Sequence, residues 1–195
     1  MEPVTGRSTA GQGVGRWARP LAMALVVVAI LAVALFAIRG QSGGGVEATI
    51  VAAGHAEVGH AGPDFTTPAL NGGTVRLSSL RGKVVLINFW ATWCTACQAE
   101  MPAIEQAWDR YRGRGLDVIA VDFREGNKAA MQRFLSQVGA KFTAALDPDG
   151  KIADAYGVTF GLPTSVFVDR DGTVRVIHLG QMAPDFIDQQ ALSLL

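Results

Sequence analysis

Three kinds of hydrophobic patterning follow one another along the 195-residue chain. Residues 21–38 (LAMALVVVAILAVALFAI) form an unbroken apolar run, residues 40–62 are rich in Gly and Ala and hold no sustained period, and from Pro63 onward short strand-like runs alternate with helical stripes. Phe65 to Leu70 and Thr74 to Leu77 flank Asn71-Gly72-Gly73, which predicts a hairpin. Val84 to Trp90 (VVLINFW) is apolar and β-branched, suited to a strand buried on both faces. From Ala96 to about Arg112 the period changes to helical, with Met101, Ile104, Ala107, Trp108 and Tyr111 on one stripe that Gly113 and Gly115 bring to an end.

The alternation continues to the C-terminus. Leu116 to Val121 predicts a strand, Asn127 to Val138 a helix, Phe142 to Leu146 a strand before the Asp147-Pro148-Asp149-Gly150 turn, and Lys151 to Tyr156 a short helix. Thr164 to Val168 and Thr173 to Leu179 bracket Asp169-Arg170-Asp171-Gly172 as a second hairpin, and Pro184 to Leu194 closes as a helix. Strand-helix-strand-helix followed by an antiparallel hairpin and a helix predicts an α/β domain with a mixed β-sheet flanked by helices. No internal repeat is present.

The run at 21–38 changes the picture of the whole chain. Eighteen residues rising ~1.5 Å each make a helix of ~27 Å, close to the ~30 Å of a hydrocarbon core. Its Leu, Ile, Val and Phe residues favour insertion by roughly 3 to 7 kcal/mol. Arg7, Arg16 and Arg19 precede it and only Arg39 follows, so the positive-inside rule keeps residues 1–20 cytoplasmic and carries the rest across. The expected organisation is a cytoplasmic N-terminus (1–20), a single transmembrane anchor (21–38), a flexible spacer (39–61) and one domain (62–195) outside the cytoplasmic membrane. The alternative is secretion after signal cleavage at Ala32-Val33-Ala34, a site inside the run rather than beyond it.

Charge adds little beyond this asymmetry. The 17 basic and 17 acidic residues balance, and the basic ones after position 40 are scattered among acids, so neither part resembles a nucleic-acid binder. The two cysteines exclude a disulfide-stapled scaffold and a four-cysteine metal site.

They stand at Trp93-Cys94-Thr95-Ala96-Cys97, where the buried strand gives way to the helix. Unpaired amides and the dipole at a helix N-terminus favour an anion there, so the Cys94 thiolate is stabilised. Cys97, one helical turn on, is placed to attack a mixed disulfide formed at Cys94. A structural bridge across so short a loop would stabilise little. A zinc site is the other rival, since His55 and His60 would complete a two-Cys, two-His set, although both lie in the Gly/Ala spacer. Covalent haem attachment would need a His where Gln98 stands. No metal and no cofactor are expected.

Phe89-Trp90-Ala91-Thr92-Trp93-Cys94-Thr95-Ala96-Cys97 resembles the active-site segment of thioredoxin-fold proteins. Together with Gly62-Pro63-Asp64-Phe65, Leu77-Ser78-Ser79-Leu80-Arg81-Gly82-Lys83, Glu100-Met101-Pro102 and Gly161-Leu162-Pro163-Thr164, it is similar to the membrane-anchored thiol:disulfide oxidoreductases of the TlpA/ResA/DsbE type, over roughly residues 59 to 192. The resemblance implies a thioredoxin-like fold with an N-terminal β-hairpin extension. It implies Cys94 and Cys97 as the redox-active disulfide, Pro163 as a cis-proline that turns the Leu162 backbone toward the cysteines, and Glu100 as an acid that exchanges a proton with the resolving thiol. Trp93, Leu162 and Thr164 are the positions expected to meet a client. Asn88 stands where cytoplasmic-type thioredoxins carry a buried Asp, so Glu100 is expected to supply that acid function. Pro102, inside the helix, is expected to kink it.

The partners implied are client proteins with cysteine pairs, among them apocytochromes c and copper-site assembly proteins, and a membrane electron donor of the DsbD/CcdA kind. Ala96 departs from the pattern, because many relatives carry Pro before the second cysteine, and this leaves the redox potential open. The alternative function is a peroxiredoxin-type thiol peroxidase, whose P-x-x-x-T/S-x-x-C motif would need Pro and Thr or Ser where Ile87 and Ala91 stand.

Overall fold

The structure is a computed structural model, and it describes residues 49–50, 55–159 and 161–195. The expected transmembrane run lies outside the described residues. Among the described residues no helix is long and apolar enough to cross a membrane.

Two sheets are built from eight strands among these residues. The smaller is antiparallel and joins β1 (Thr49–Ile50), β2 (Phe65–Pro68) and β3 (Thr74–Arg76) in that order. The larger contains β4 (Val84–Trp90), β5 (Leu116–Asp122), β6 (Thr143–Ala145), β7 (Thr164–Val168) and β8 (Val174–Leu179) in the order β6-β5-β4-β7-β8. β4 pairs parallel with β5 and antiparallel with β7, so it is the central strand of a mixed sheet. Helices α1 (Thr95–Tyr111), α2 (Lys128–Gln137), α3 (Lys151–Ala155) and α4 (Pro184–Leu194) cover the two faces.

The two-residue period of β4 divides the core. Leu86 and Trp90 project to one face and pack with Met101 and Ile104 of α1 and Ile187 of α4, whereas Val85, Ile87 and Phe89 project to the other, against Phe65, Leu77, Ile152 and Tyr156. Every residue of β4 is buried, including Asn88, which lies on the α1 face among apolar neighbours. α1 begins directly after the loop that follows β4 and continues through Pro102 to Tyr111. A short 3-10 turn and Gly115 (φ 108) then bring the chain into β5, a conformation only glycine adopts at no steric cost.

The N-terminal hairpin does more than extend the sheet. Leu70 N–H donates to Ala144 O at 2.8 Å, Leu146 N–H donates to Pro68 O at 3.0 Å and the Thr67 hydroxyl donates to Leu146 O, so the hairpin covers the β6 edge that would otherwise offer unpaired amides. The stretch read as spacer also contributes. Thr49–Ile50 pairs with β2, Ala56 N–H donates to Ala155 O, and Gly59 and His60 exchange backbone bonds with Val174. Residues from Ala56 onward therefore dock on the domain ahead of the boundary placed at 62, because their backbone has partners on α3 and β8 rather than water.

Candidate active site

Ala91, Thr92 and Trp93 carry the chain from the end of β4 to the start of α1, and Cys94 occupies the N-cap of that helix. Its backbone is extended (φ −88, ψ 102) and its Sγ accepts the Cys97 N–H at 3.1 Å. Cys94 and Cys97 form a disulfide with Cα atoms 5.2 Å apart. Cys94 keeps 7% of its surface exposed and Cys97 none, so an incoming sulfur reaches the pair through Cys94. Trp93 beside it is 65% exposed, an unusual position for a large apolar ring and one suited to meeting another protein.

Glu100 lies one turn beyond Cys97, on the buried stripe that also holds Met101 and Ile104. It is 1% exposed. Asn88 Nδ2 donates to its Oε1 at 2.7 Å and Met182 N–H donates to its Oε2 at 2.9 Å. Burial raises its pKa above the ordinary carboxyl value, and the hydrogen bonds from Met182 and Asn88 pull in the opposite direction without cancelling that effect. Asn88 Nδ2 also donates to Ser165 Oγ at 2.9 Å, which ties β4, β7 and α1 together behind the disulfide.

The Leu162–Pro163 peptide bond is cis. Pro163 is buried one residue before the Phe89–Thr164 pair of the sheet register, at the same end of β4 from which the cysteine loop departs. Leu162 is half-buried and packs on the cluster that includes both cysteines. Thr164 is placed differently from the client-contacting role expected of it: it is 2% exposed and its hydroxyl donates to Gly161 O at 2.6 Å, so its side chain shapes the loop rather than facing outward. His55 and His60 are exposed, and His60 Nδ1 lies 3.7 Å from Glu57 Oε2. Among the described residues no group of three His, Cys, Asp or Glu side chains is arranged to hold a metal ion.

Several polar groups near the site carry no local sequence signal. Glu125, in the loop after β5, accepts both the Thr92 N–H and the Thr92 hydroxyl. Asp122, at the end of β5, accepts the N–H groups of Glu125 and Asp147, while Asp147 accepts Ile152 N–H and Ala153 N–H at the start of α3. Burial raises Asp122 to about 7 and Asp147 to about 6.

A thioredoxin-like α/β sandwich with an accessible cysteine at a helix N-cap, bridged to an enclosed cysteine one turn on, defines a dithiol–disulfide exchange protein. Comparison with known proteins agrees with this class. A model of the AhpC/TSA family matches residues 58–177. The thiol-disulfide oxidoreductase ResA of Bacillus thuringiensis (strain Al Hakam) is 36% identical over 132 residues, which span 68% of this chain and 75% of the relative. A Chlorobium tepidum structure named for the thiol:disulfide interchange protein DsbE superposes with a TM-score of 0.66 at 38% identity, covering 71% of this chain and 98% of that one. A secreted Mycobacterium tuberculosis disulfide oxidoreductase homologous to E. coli DsbE superposes with a TM-score of 0.61 at 29% identity, covering 67% and 96%. The chain belongs to the AhpC/TSA family, within its ResA/DsbE-type thiol-disulfide oxidoreductases. The peroxidase alternative is less well supported, since Ile87 and Ala91 are both fully buried apolar residues where that chemistry needs a proline and a hydroxyl.

Proposed function

We propose that this thiol:disulfide oxidoreductase works as a reductant of client proteins outside the cytoplasmic membrane, held there by the apolar run at residues 21–38. The observation that carries the reading is the unequal access to the two sulfurs, with Cys94 at the helix N-cap open to a client and Cys97 enclosed in front of Glu100. In the reduced protein the Cys94 thiolate attacks a client disulfide, and one client sulfur leaves as a thiolate and takes up a proton. Cys97 then loses its proton and attacks Cys94 Sγ, the second client sulfur leaves, and the Cys94–Cys97 disulfide closes. The client gains the two electrons that the enzyme loses; of the two protons its sulfurs take up, one is the proton Cys97 gives up and the other comes from solvent, where Cys94 had released its own on ionising.

Glu100 is the group that exchanges the Cys97 proton, because it lies one turn beyond Cys97 on the same buried face of α1 and burial makes its carboxyl hold a proton more readily than an exposed one. Trp93 and the Leu162 backbone beside Pro163 form the client contact. The clients that suit such a reductant are cysteine pairs awaiting haem or copper, as in cytochrome c maturation and copper-site assembly. A reductant in an oxidising compartment must itself be reduced, which calls for a membrane donor of the DsbD/CcdA kind. Equilibration with glutathione or dithiothreitol buffers is expected to give a reduction potential at or below about −250 mV, and a value near about −120 mV would make the protein an oxidant instead.

A further inference from the structure

The active-site loop is held from a second side that the exchange chemistry does not use. Both carboxylate oxygens of Glu125 are committed to Thr92, two residues before Cys94: Oε2 accepts the Thr92 N–H at 2.8 Å and Oε1 accepts the Thr92 hydroxyl at 2.5 Å. The Thr92 carbonyl accepts Gln98 Nε2 at 2.5 Å, so this one residue is tied both to the β5–α2 loop and to the first turns of α1.

Glu125 is itself fixed by its surroundings. Its N–H donates to Asp122 Oδ2 at 3.0 Å. The preceding Arg124 has φ 55, the one non-glycine with a positive φ among the described residues, and its guanidinium donates to Asp154 Oδ1 at 2.5 Å. The Arg124 side chain crosses Gly150 so closely that a Cβ there would come 2.3 Å from Arg124 Nε. A left-handed backbone at a non-glycine persists only where the surroundings impose it, and such positions cluster at functional sites. Here the imposed turn delivers the next residue's carboxylate to the loop that carries Cys94.

We propose that Glu125 is a positioning residue of the dithiol site, acting through Thr92 to hold Cys94 at the N-cap of α1 with its sulfur on the Cys97 N–H. This rests on the reading of Cys94 as the nucleophile. In the reduced protein the Cys94 thiolate draws on the same amide that now meets its sulfur, and loss of that alignment makes the thiol less acidic. Glu125 forms no bond with substrate and gives up no proton in the reaction.

Charge and position make opposite predictions. A carboxylate near a thiolate disfavours it, so a purely electrostatic Glu125 would raise the Cys94 pKa and its removal would lower it. A clamp does the reverse. The other charged groups around Glu125 are Asp122 on its amide, Asp147 bonded to Asp122, and Arg124 paired with Asp154; all remain in place in the variants compared.

The test is the pH profile of Cys94 alkylation by iodoacetamide in the reduced full-length chain, with the modified cysteine identified by mass spectrometry. Glu125→Ala is expected to move the midpoint upward by at least half a unit, about a threefold loss of thiolate below the midpoint. Glu125→Gln, whose amide oxygen accepts the Thr92 N–H and whose amino group reaches the hydroxyl, is expected to stay near wild type. Thr92→Val, which keeps the N–H and loses the hydroxyl, is expected to shift part of the way. No shift in Glu125→Ala, a downward shift, or equal shifts in the Ala and Gln variants would each overturn the proposal. Should Glu125→Ala fail to fold, Thr92→Val decides alone, an upward shift supporting the clamp and no shift refuting it. Alkylation of Cys97 ahead of Cys94 in the wild type would overturn the nucleophile assignment, and this inference with it. A wild type that alkylates at Cys94 while the variants do not move would remove only the role of Glu125.

Discussion

Glu100 shares the inner face of α1 with Cys97, Met101 and Ile104, where an ionised carboxyl is stable only because Asn88 and the Met182 amide donate to it. Replacement by glutamine preserves shape but turns one acceptor into a donor facing a donor, which costs on the order of 1 kcal/mol. Glu100→Gln is therefore expected to lose little thermal stability while shifting the pH profile of disulfide reduction and slowing the step that consumes Cys97. Stopped-flow reduction of a model disulfide from about pH 5 to 9 checks this; rates equal to wild type throughout would leave Glu100 with no part in proton exchange. The resemblance implied that Glu100 supplies the acid function missing at Asn88, but the hydrogen bond between the two emerges only in the fold, where β4 and α1 pack together. The Glu125–Thr92 clamp was not foreshadowed in the sequence, since its partners are 33 residues apart and neither is unusual among its neighbours.

The loops at the C-terminal ends of β5 and β6 are joined by buried acids. Asp122 bonds the amides of Glu125 and Asp147, and Asp147 in turn holds the first amides of α3. Both carboxyls have folded-state pKa values above the ordinary 3.8, about 7 for Asp122 and about 6 for Asp147, with burial the largest cause. A group that holds its proton more tightly when folded contributes stability below its unfolded pKa and loses that contribution as pH rises through the folded value. Between the two, each such proton tilts stability by about 1.4 kcal/mol per pH unit. The domain is thus expected to lose stability from about pH 4 to about pH 7, and Asp122→Asn is expected to flatten that slope. Urea midpoints across this range measure it, and an unchanged slope in the variant would clear Asp122 of the effect. From β2 onward the strands and the four α-helices were legible to within a residue or two, because the apolar period changes at each boundary and Gly115 and Gly150 mark two of the turns, whereas β1 lies in the stretch expected to be a spacer. The pairing of the hairpin with β6, and the docking of residues 56–62, were not legible, since backbone bonds between distant segments leave no side-chain pattern.

The proposed membrane anchor at residues 21–38 makes a prediction for the chain as a whole. A reporter active only outside the cytoplasm, fused after Leu195, is expected to work, with the full-length chain in the membrane fraction; a soluble form beginning near residue 35 would replace the anchor with a cleaved signal. The class of enzyme was legible from Trp93-Cys94-Thr95-Ala96-Cys97 and its place between strand and helix, whereas the unequal burial of the two sulfurs emerges only when α1 packs on the sheet. That inequality decides which sulfur attacks the client and which resolves, and single-cysteine trapping tests it most directly. Cys97→Ala, expressed as the full chain, is expected to accumulate a mixed disulfide with its client that dithiothreitol releases, because the covalent intermediate has lost its intramolecular exit, while Cys94→Ala is expected to trap nothing. Equal trapping by both variants, or trapping by Cys94→Ala alone, would contradict it.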